Sequence, residues 1–186
     1  GRKSEMHVLD DIELEFPDTG LVCILGESGS GKTTLLNTIG GLDTFHSGVL
    51  DYNGTIAVDG KLLPELAAPL GELSRTLEVH VLTADTYGTA AKQCGGLGVK
   101  LHTFPREGAG RCKEEIVRAL GDGVVCMGNG FNDIPMFRCA GLSIAVLLEE
   151  GMCAGLLAEA DVLVRSALDG LDLLRRPDRL RATLRN

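Results

Sequence analysis

From Val49 onward the chain repeats one pattern: a short apolar run, a polar break, then a stretch with helical spacing. Val49-Leu50 runs into Asp51-Tyr52-Asn53-Gly54-Thr55, a strand end followed by a turn. Residues 62–73 are helical in pattern, 77–82 (LEVHVL) alternate as a strand, and 90–97 can form a helix. A short strand over 100–104, a helix over 111–120 and a buried strand over 124–127 (VVCM) follow. Helix 134–140, strand 142–147, then 154–159, 162–164 and 168–176 complete the series. Strands that alternate with helices come out parallel, because each helix carries the chain back across the sheet. The predicted fold class is therefore α/β, a parallel sheet with helices on both faces.

Composition narrows what such a sheet can do. Aromatic residues make up 4% of the chain and Trp is absent, so Leu, Val, Ile and Ala must build the core. The formal charge of −8 repels phosphate backbones and anionic lipid, which argues against nucleic acid as a partner. No apolar run approaches the ~18 residues of a membrane-spanning helix, so no direct membrane insertion is expected. The six cysteines, Cys23, Cys94, Cys112, Cys126, Cys139 and Cys153, form no CxxC pair. They also stand at no metal-ligand spacing from His7, His46, His80 or His102. Reduced thiols and a cytoplasmic location fit this usage. The late arginines, Arg165, Arg175, Arg176, Arg179, Arg181 and Arg185, read as the solvated face of a C-terminal helix.

Open parallel sheets bind ligands beyond the carboxyl ends of their strands, and polar residues fall at such ends here. Asp51 ends the first strand of the series, Thr83 (in LTAD) the second, and Asn129, Asn132 and Asp133 (in GNGFND) follow a third. Lys113 lies near the start of a helix that could reach back to the same edge. Taken singly each has an ordinary explanation: a turn at Asp51, caps at Thr83 and Asp133, a surface Lys113. Taken in order they resemble the four motifs of the haloacid dehalogenase (HAD) superfamily, over about 135 residues. Asp51-Tyr52-Asn53-Gly54-Thr55 is similar to DxxGT, and Gly128-Asn129-Gly130-Phe131-Asn132-Asp133 to GDGxND. The stretches Ile144-Ala145-Val146, Gly151 and Ala160-Asp161 resemble soluble relatives of P-type ATPase catalytic domains.

That resemblance implies a HAD-like Rossmannoid domain in which Asp51 attacks phosphorus and becomes an aspartyl-phosphate, with Asn53, Thr83 and Lys113 as its catalytic companions. It implies Mg²⁺ held by Asp51, Asn53, Asn129 and Asp133, the backbone carbonyl of Asn53 included. Gly54, Thr83, Ala84, Lys113 and Asn132 would hold the phosphoryl group. The residue types suit the chemistry, because an anion attacking an anion needs positive charge around it. Two departures bear on turnover. Asn53 stands where HAD phosphatases usually carry an acid–base Asp, and an amide cannot transfer a proton. Asn129 replaces another Asp and removes one charge from the metal shell. Slow hydrolysis of the phosphoenzyme is expected.

Only 27 residues separate Thr55 from Thr83, and 29 separate Thr83 from Lys113. The sheet's own elements fill those gaps, so a capless domain is expected, with an open site for a phosphorylated substrate. Such a site leaves room for a homo-oligomer or a protein partner to cover it.

Ahead of this series, Leu21-Val22-Cys23-Ile24-Leu25 is an apolar run followed by Gly26-Glu27-Ser28-Gly29-Ser30-Gly31-Lys32-Thr33-Thr34. This fits GxxxxGK[ST] in the strand–loop–helix setting the motif requires. Gly26, Gly29, Gly31, Lys32, Thr33 and Thr34 could cradle the phosphates of ATP. With VLDDIELEFP before it and Ser47-Gly48 after it, the segment resembles the start of an ABC transporter ATPase. No LSGGQ-like signature, Q-loop or strand ending in Asp-Glu follows, so ATP hydrolysis there is not expected. The predicted organisation is a truncated P-loop segment over 1–48 and a HAD-like domain over 49–186. SGVLDYNG at the seam suits either family. The leading function is a Mg²⁺-dependent phosphatase-like hydrolase; an ATP-binding module is the alternative. The hydrolase reading expects Asp51, Thr83, Lys113 and Asp133 to converge.

Overall fold

In the computed structural model, which describes residues 45–85 and 87–184, β1 (Ser47–Asp51) is buried along its whole length. A strand buried along its whole length needs partners on both sides and cover on both faces, and β1 has them. It pairs in parallel with β4 (Glu78–Thr83) and with β6 (Val124–Gly128), Asp51 standing opposite Leu82 and Ser47 opposite Val124. Beyond β4 lies β5 (Lys100–Thr103); beyond β6 lie β7 (Leu142–Val146) and β8 (Val162–Val164). The six-stranded order is β5-β4-β1-β6-β7-β8, every pair parallel. The chain thus works outward from β1 to one edge, returns to β6, and works outward to the other. Such a reversal opens a crevice at the carboxyl ends of the central strands.

The helices divide between the two faces. Alternation along the strands sends Val49, Leu82, Cys126 and Ala145 to one face. There they pack with Val117 of α3 (Ala109–Leu120) and with Met136 and Phe137 of α4 (Ile134–Phe137). On the other face α5 (Ala167–Arg175) comes so close that Gly170 has no room for a side chain beside Met127. There α5 packs on α1 (Ala67–Leu73). A small α2 (Ala90–Cys94) joins β4 to β5, and α6 (Pro177–Leu184) closes the described chain. The α/β architecture expected from the alternation is the one observed.

Several boundaries differ from expectation for local reasons. Leu62 belongs not to a helix but to an antiparallel hairpin of β2 (Ala57–Val58) and β3 (Lys61–Leu62). Pro64 then opens a 3-10 turn, Pro64–Leu66, ahead of α1. The helix expected to reach residue 97 stops at Cys94, before the Gly95-Gly96 pair, where two residues of low helix propensity adjoin. Residues 134–140 are helical only to Phe137, and Ala154–Glu159 is a 3-10 helix. Helix α6, bearing Arg179 and Arg181, is separated from α5 at Arg176 by the following Pro177. β1 begins at Ser47, earlier than the Val49 expected from the apolar run. Between β1 and α1 the only insertion among the described residues is the hairpin, so no cap domain intervenes. The glycine-rich loop and the strands expected before it lie outside the described residues.

Leu50 is fully buried in the central strand. Its truncation by Leu50→Ala leaves a cavity that the sheet cannot close, at a cost of about 3 kcal/mol. Urea unfolding followed by circular dichroism should show a lower midpoint with an unchanged slope.

Candidate active site

Asp51 ends β1 on the face covered by α3, and that placement brings it to Lys113 in the second turn of the helix. Lys113 is 1% exposed, contrary to the usual fate of a helical lysine. Its Nζ donates to Asp51 Oδ1 at 2.5 Å, to Asp133 Oδ1 at 2.6 Å and to Asn132 Oδ1 at 3.4 Å. An ammonium group has three donors, and each finds an oxygen. Burying three charges is costly, and the arrangement holds only because each is paired.

Asp133 is fully buried and fastens two segments together. Its Oδ1 takes the Lys113 bond, while Oδ2 accepts the backbone N–H groups of Asn129 (3.0 Å) and Gly130 (2.8 Å). The loop after β6 is thereby folded back onto Asp133, so tightly that a Cβ on Gly128 would stand 2.6 Å from the Asp133 carboxyl carbon. The glycine that precedes Asn129 is thus a packing requirement. Of the residues expected to ligate metal, Asp133 has the least spare oxygen capacity.

Asn129 is fixed from two sides. Its Nδ2 donates to Gly151 O at 2.9 Å, and its Oδ1 accepts from Thr55 Oγ1 at 3.2 Å. Gly54, at φ +77°, lies directly beneath it: an added Cβ would fall 2.2 Å from Asn129 Nδ2. Gly54 is needed for its left-handed backbone and for the room it gives Asn129; expected as a phosphate contact, it makes its close approach here to a side chain. Thr55 is a site residue that the sequence reading left out. Its Oγ1 lies 3.2 Å from both Asp51 Oδ2 and Asn129 Oδ1, and a hydroxyl with one hydrogen can serve one of them at a time. The signal was present, since Thr55 closes the DYNGT run.

Thr83 stands at the end of β4 beside β1, 2% exposed, with its Oγ1 accepting the N–H of Asp85 at 2.9 Å. Ala84 follows it, half-buried. Asp51, Lys113, Asn132 and Asp133 are joined directly by hydrogen bonds, and Asn129 joins them through Thr55. Thr83 shares the sheet edge with them, but its hydroxyl is bonded to the turn beyond β4.

Asn53 differs from all of these. Its Oδ1 is buried and has no hydrogen-bond partner, a state that ordinarily costs ~1–3 kcal/mol and calls for an explanation. Asp51 Oδ2 and Asn129 Oδ1, each 3.2 Å from Thr55 Oγ1, bring oxygen donors from the ends of two neighbouring strands together, and with the Asn53 carbonyl that the HAD resemblance implies they make an all-oxygen set that suits a hard divalent cation such as Mg²⁺. Among the described residues no group of three or more His, Cys, Asp or Glu is arranged to hold a metal; two of the three candidate donors here are amides or carbonyls, not carboxylates alone.

The charge balance at Asp51 is uneven. Burial, with the Asp133 charge adding to it, pushes the Asp51 carboxyl up from 3.8 to about 7 against the lowering pull of Lys113. For Lys113 burial acts to lower the pKa, and the two carboxylates outweigh it, raising it above its ordinary value. Phe131, between Gly130 and Asn132, is 77% exposed at the rim of this cluster.

Comparisons with known proteins divide along the chain. The family model for ABC transporters matches residues 9–87. A glutamate transport ATP-binding protein of Corynebacterium glutamicum is 46% identical over 69 residues, 37% of this chain and 26% of that protein. A sulfate/thiosulfate import ATP-binding protein of Yersinia pseudotuberculosis is 52% identical over 48 residues, 26% of this chain and 13% of that protein. The chain therefore spans about a quarter or less of the length of these relatives. Among solved structures, a 3-deoxy-D-manno-octulosonate 8-phosphate phosphatase from Moraxella catarrhalis superposes with a TM-score of 0.61 at 14% identity. That likeness covers 81% of this chain and 99% of that one. A putative HAD family hydrolase from Streptomyces avermitilis gives 0.57 at 17% identity, over 72% and 86%. The fold around Asp51 is the HAD fold, and the ABC likeness begins ahead of it.

Two outcomes follow from the buried triad. Because the Asp51 carboxyl is raised in the folded protein, the native state binds more protons than the unfolded chain between about pH 4 and pH 7. The stability this gives is full below pH 4 and is lost as the pH rises through 7. In the presence of a chelator the protein should therefore melt lower at pH 8 than at pH 5.5. Asp51→Asn should flatten that difference and raise the pH 8 melting temperature by roughly 5 °C. Conversely, Lys113→Met leaves two buried carboxylates facing each other and should destabilise by about 3–5 kcal/mol in chemical unfolding.

Proposed function

We propose that the domain over residues 49–186 is a Mg²⁺-dependent phosphoryl-transfer hydrolase in which Asp51 forms an aspartyl-phosphate. The observation that carries this reading is the buried Asp51–Lys113–Asp133 triad at the end of the central strand. A carboxylate that only bridged secondary structure would gain little from such a setting, whereas a nucleophile needs a fixed cation beside it. Lys113 orients Asp51 and offsets the charge of an arriving phosphoryl group. Thr83, Ala84, Gly54 and Asn132 would hold that group. Asp51, Asn53, Asn129 and Asp133 would hold Mg²⁺. The ion's contribution is to neutralise phosphoryl charge. The Moraxella structure holds a magnesium ion, a phosphate ion and a KDO molecule, which supports this cofactor and a phosphoryl-bearing substrate.

The second step, attack of water on phospho-Asp51, needs a base, and Asn53 cannot be one. Turnover is therefore slow, with the phosphoenzyme the resting species under substrate. The site is open, and a second copy or another protein suits it as cover. Cys94, Cys112, Cys126, Cys139 and Cys153 are free thiols, in keeping with a cytoplasmic setting. No helix among the described residues is long and apolar enough to cross a membrane.

The match to ABC transporters over residues 9–87 favours a second reading. In it residues 1–48 are a P-loop segment that binds ATP through Gly26, Gly29, Gly31, Lys32, Thr33 and Thr34 without hydrolysing it. The two readings separate cleanly. Mg²⁺-dependent phosphate release from para-nitrophenyl phosphate should fall at least about 1,000-fold in Asp51→Asn and be unchanged in Lys32→Ala. Equal rates for Asp51→Asn and the unmodified protein would remove Asp51 from the chemistry, and ATP affinity lost in Lys32→Ala would establish the P-loop as a separate site.

A further inference from the structure

Two residues after Asp51, Asn53 buries a side-chain carbonyl oxygen without a partner. It can accept a hydrogen bond and has no proton to give. Cleavage of a phosphate ester by Asp51 forms one P–O bond and breaks another. The leaving oxygen carries away the electron pair and either receives a proton in the transition state or departs as an anion. Which of these occurs depends on what acid stands near.

Among the described residues, no titratable side chain bonded into the Asp51 network is free for that task. Lys113 spends its three donors on Asp51, Asn132 and Asp133. Asp133 is fully buried, its oxygens taken by Lys113 and by two backbone N–H groups. Asp85, beyond β4, caps α2 by accepting the N–H groups of Thr89 and Ala90 through Oδ1. The Tyr52 hydroxyl is directed at Gly60 O, and burial pushes it up to about 12. His80 and His102 bond each other at 2.8 Å, and His80 bonds Glu78. Among the described residues no further titratable side chain is hydrogen-bonded to Asp51, Asn53, Lys113 or Asn129.

We infer that the substrates of this site are phosphoryl compounds whose leaving oxygen is stable as an anion: acyl phosphates, phosphoanhydrides or aryl phosphates, as against alkyl phosphate esters such as sugar phosphates. The inference rests on the phospho-Asp51 reading and names its substrate class. In the balanced step the Asp51 carboxylate attacks phosphorus, the P–O bond to the leaving group breaks, and that oxygen keeps the electron pair and leaves as a carboxylate, phosphate or phenolate. It takes a proton only afterwards, from solvent where its basicity requires one. An alkoxide is far too basic to leave in this way. The phosphoryl group then passes from Asp51 to water, which loses its proton to solvent, giving inorganic phosphate and the free carboxylate.

The test is the first turnover of the full chain with Mg²⁺, read as phosphoenzyme formed and leaving group released. The probes are acetyl phosphate, pyrophosphate, a series of substituted phenyl phosphates, and glycerol phosphate. The phenyl series should slow steeply as the phenol becomes more basic, and glycerol phosphate should give no burst; whichever of acetyl phosphate and pyrophosphate reacts identifies the acyl or anhydride source. Asn53→Asp, which installs a proton at the same position, should flatten the phenyl series and speed glycerol phosphate by about 100-fold or more. If the unmodified protein cleaves glycerol phosphate as fast as phenyl phosphate, or its phenyl series is flat, the inference is overturned even should Asn53→Asp fail to fold. A rate unaffected by Asp51→Asn would instead overturn the nucleophile assignment, a separate result.

Discussion

One buried ammonium group organises this domain. Lys113 reaches from α3 to two carboxylates that belong to different parts of the sheet, Asp51 at the end of β1 and Asp133 beyond β6. Remove its charge and two anions would face each other out of water; remove Asp51 and the ammonium keeps Asp133 as its one counter-charge. The Asp133 end of the pair also determines the loop before it, because the same carboxylate collects the N–H groups of Asn129 and Gly130. Asn129 in turn meets Thr55, and Thr55 meets Asp51. The network closes on itself, which is why the site depends on Gly54 and Gly128, positions where any side chain would push one member out of place.

The topology explains why these residues meet. They come from sequence positions far apart, and the sheet order brings β1 and β6 side by side with α3 across both. The same arrangement bears on the two family likenesses. The ABC match runs to residue 87, across β1, the hairpin, α1 and β4, and β1 and β4 are neighbouring strands of the HAD-type sheet. A strand opening with Ser-Gly, ending in Asp and turning through Asn-Gly is compatible with both families. Identity over that stretch therefore says little about which sheet it joins.

Much of this was legible in the sequence, for reasons that can be named. Apolar runs such as VVCM and the spacing of the polar residues after them carried the parallel sheet and the position of Asp51, Lys113 and Asp133. What was not legible depended on close approach. The room that Gly54 leaves for the Asn129 side chain is a contact that local spacing does not show. Thr55 was quoted as part of a motif without a role, because a single hydroxyl placed between two acceptors leaves no periodic trace. The hairpin over Ala57–Val58 and Lys61–Leu62 was missed since its strands are too short to alternate. The pairing of His80 with His102 across neighbouring strands gave no signal either, as cross-strand register is not written in local spacing.

The position of β1 also sets the order in which the molecule can be made. It is the first strand of the described sheet to be synthesised and one of its two central strands in the finished fold, and one of its two edges must wait for β6, where Ser47 meets Val124. Until then β1 has β4 on one side only, and its unpaired edge is an apolar strand open to any other chain nearby. Contacts this distant along the chain form late and slow the search for the native state. Asp51 rides on that strand, so its buried network with Lys113 and Asp133 is completed in the last stages of folding, and a truncated chain lacking β6 would carry Asp51 without the loop and carboxylate that complete its surroundings.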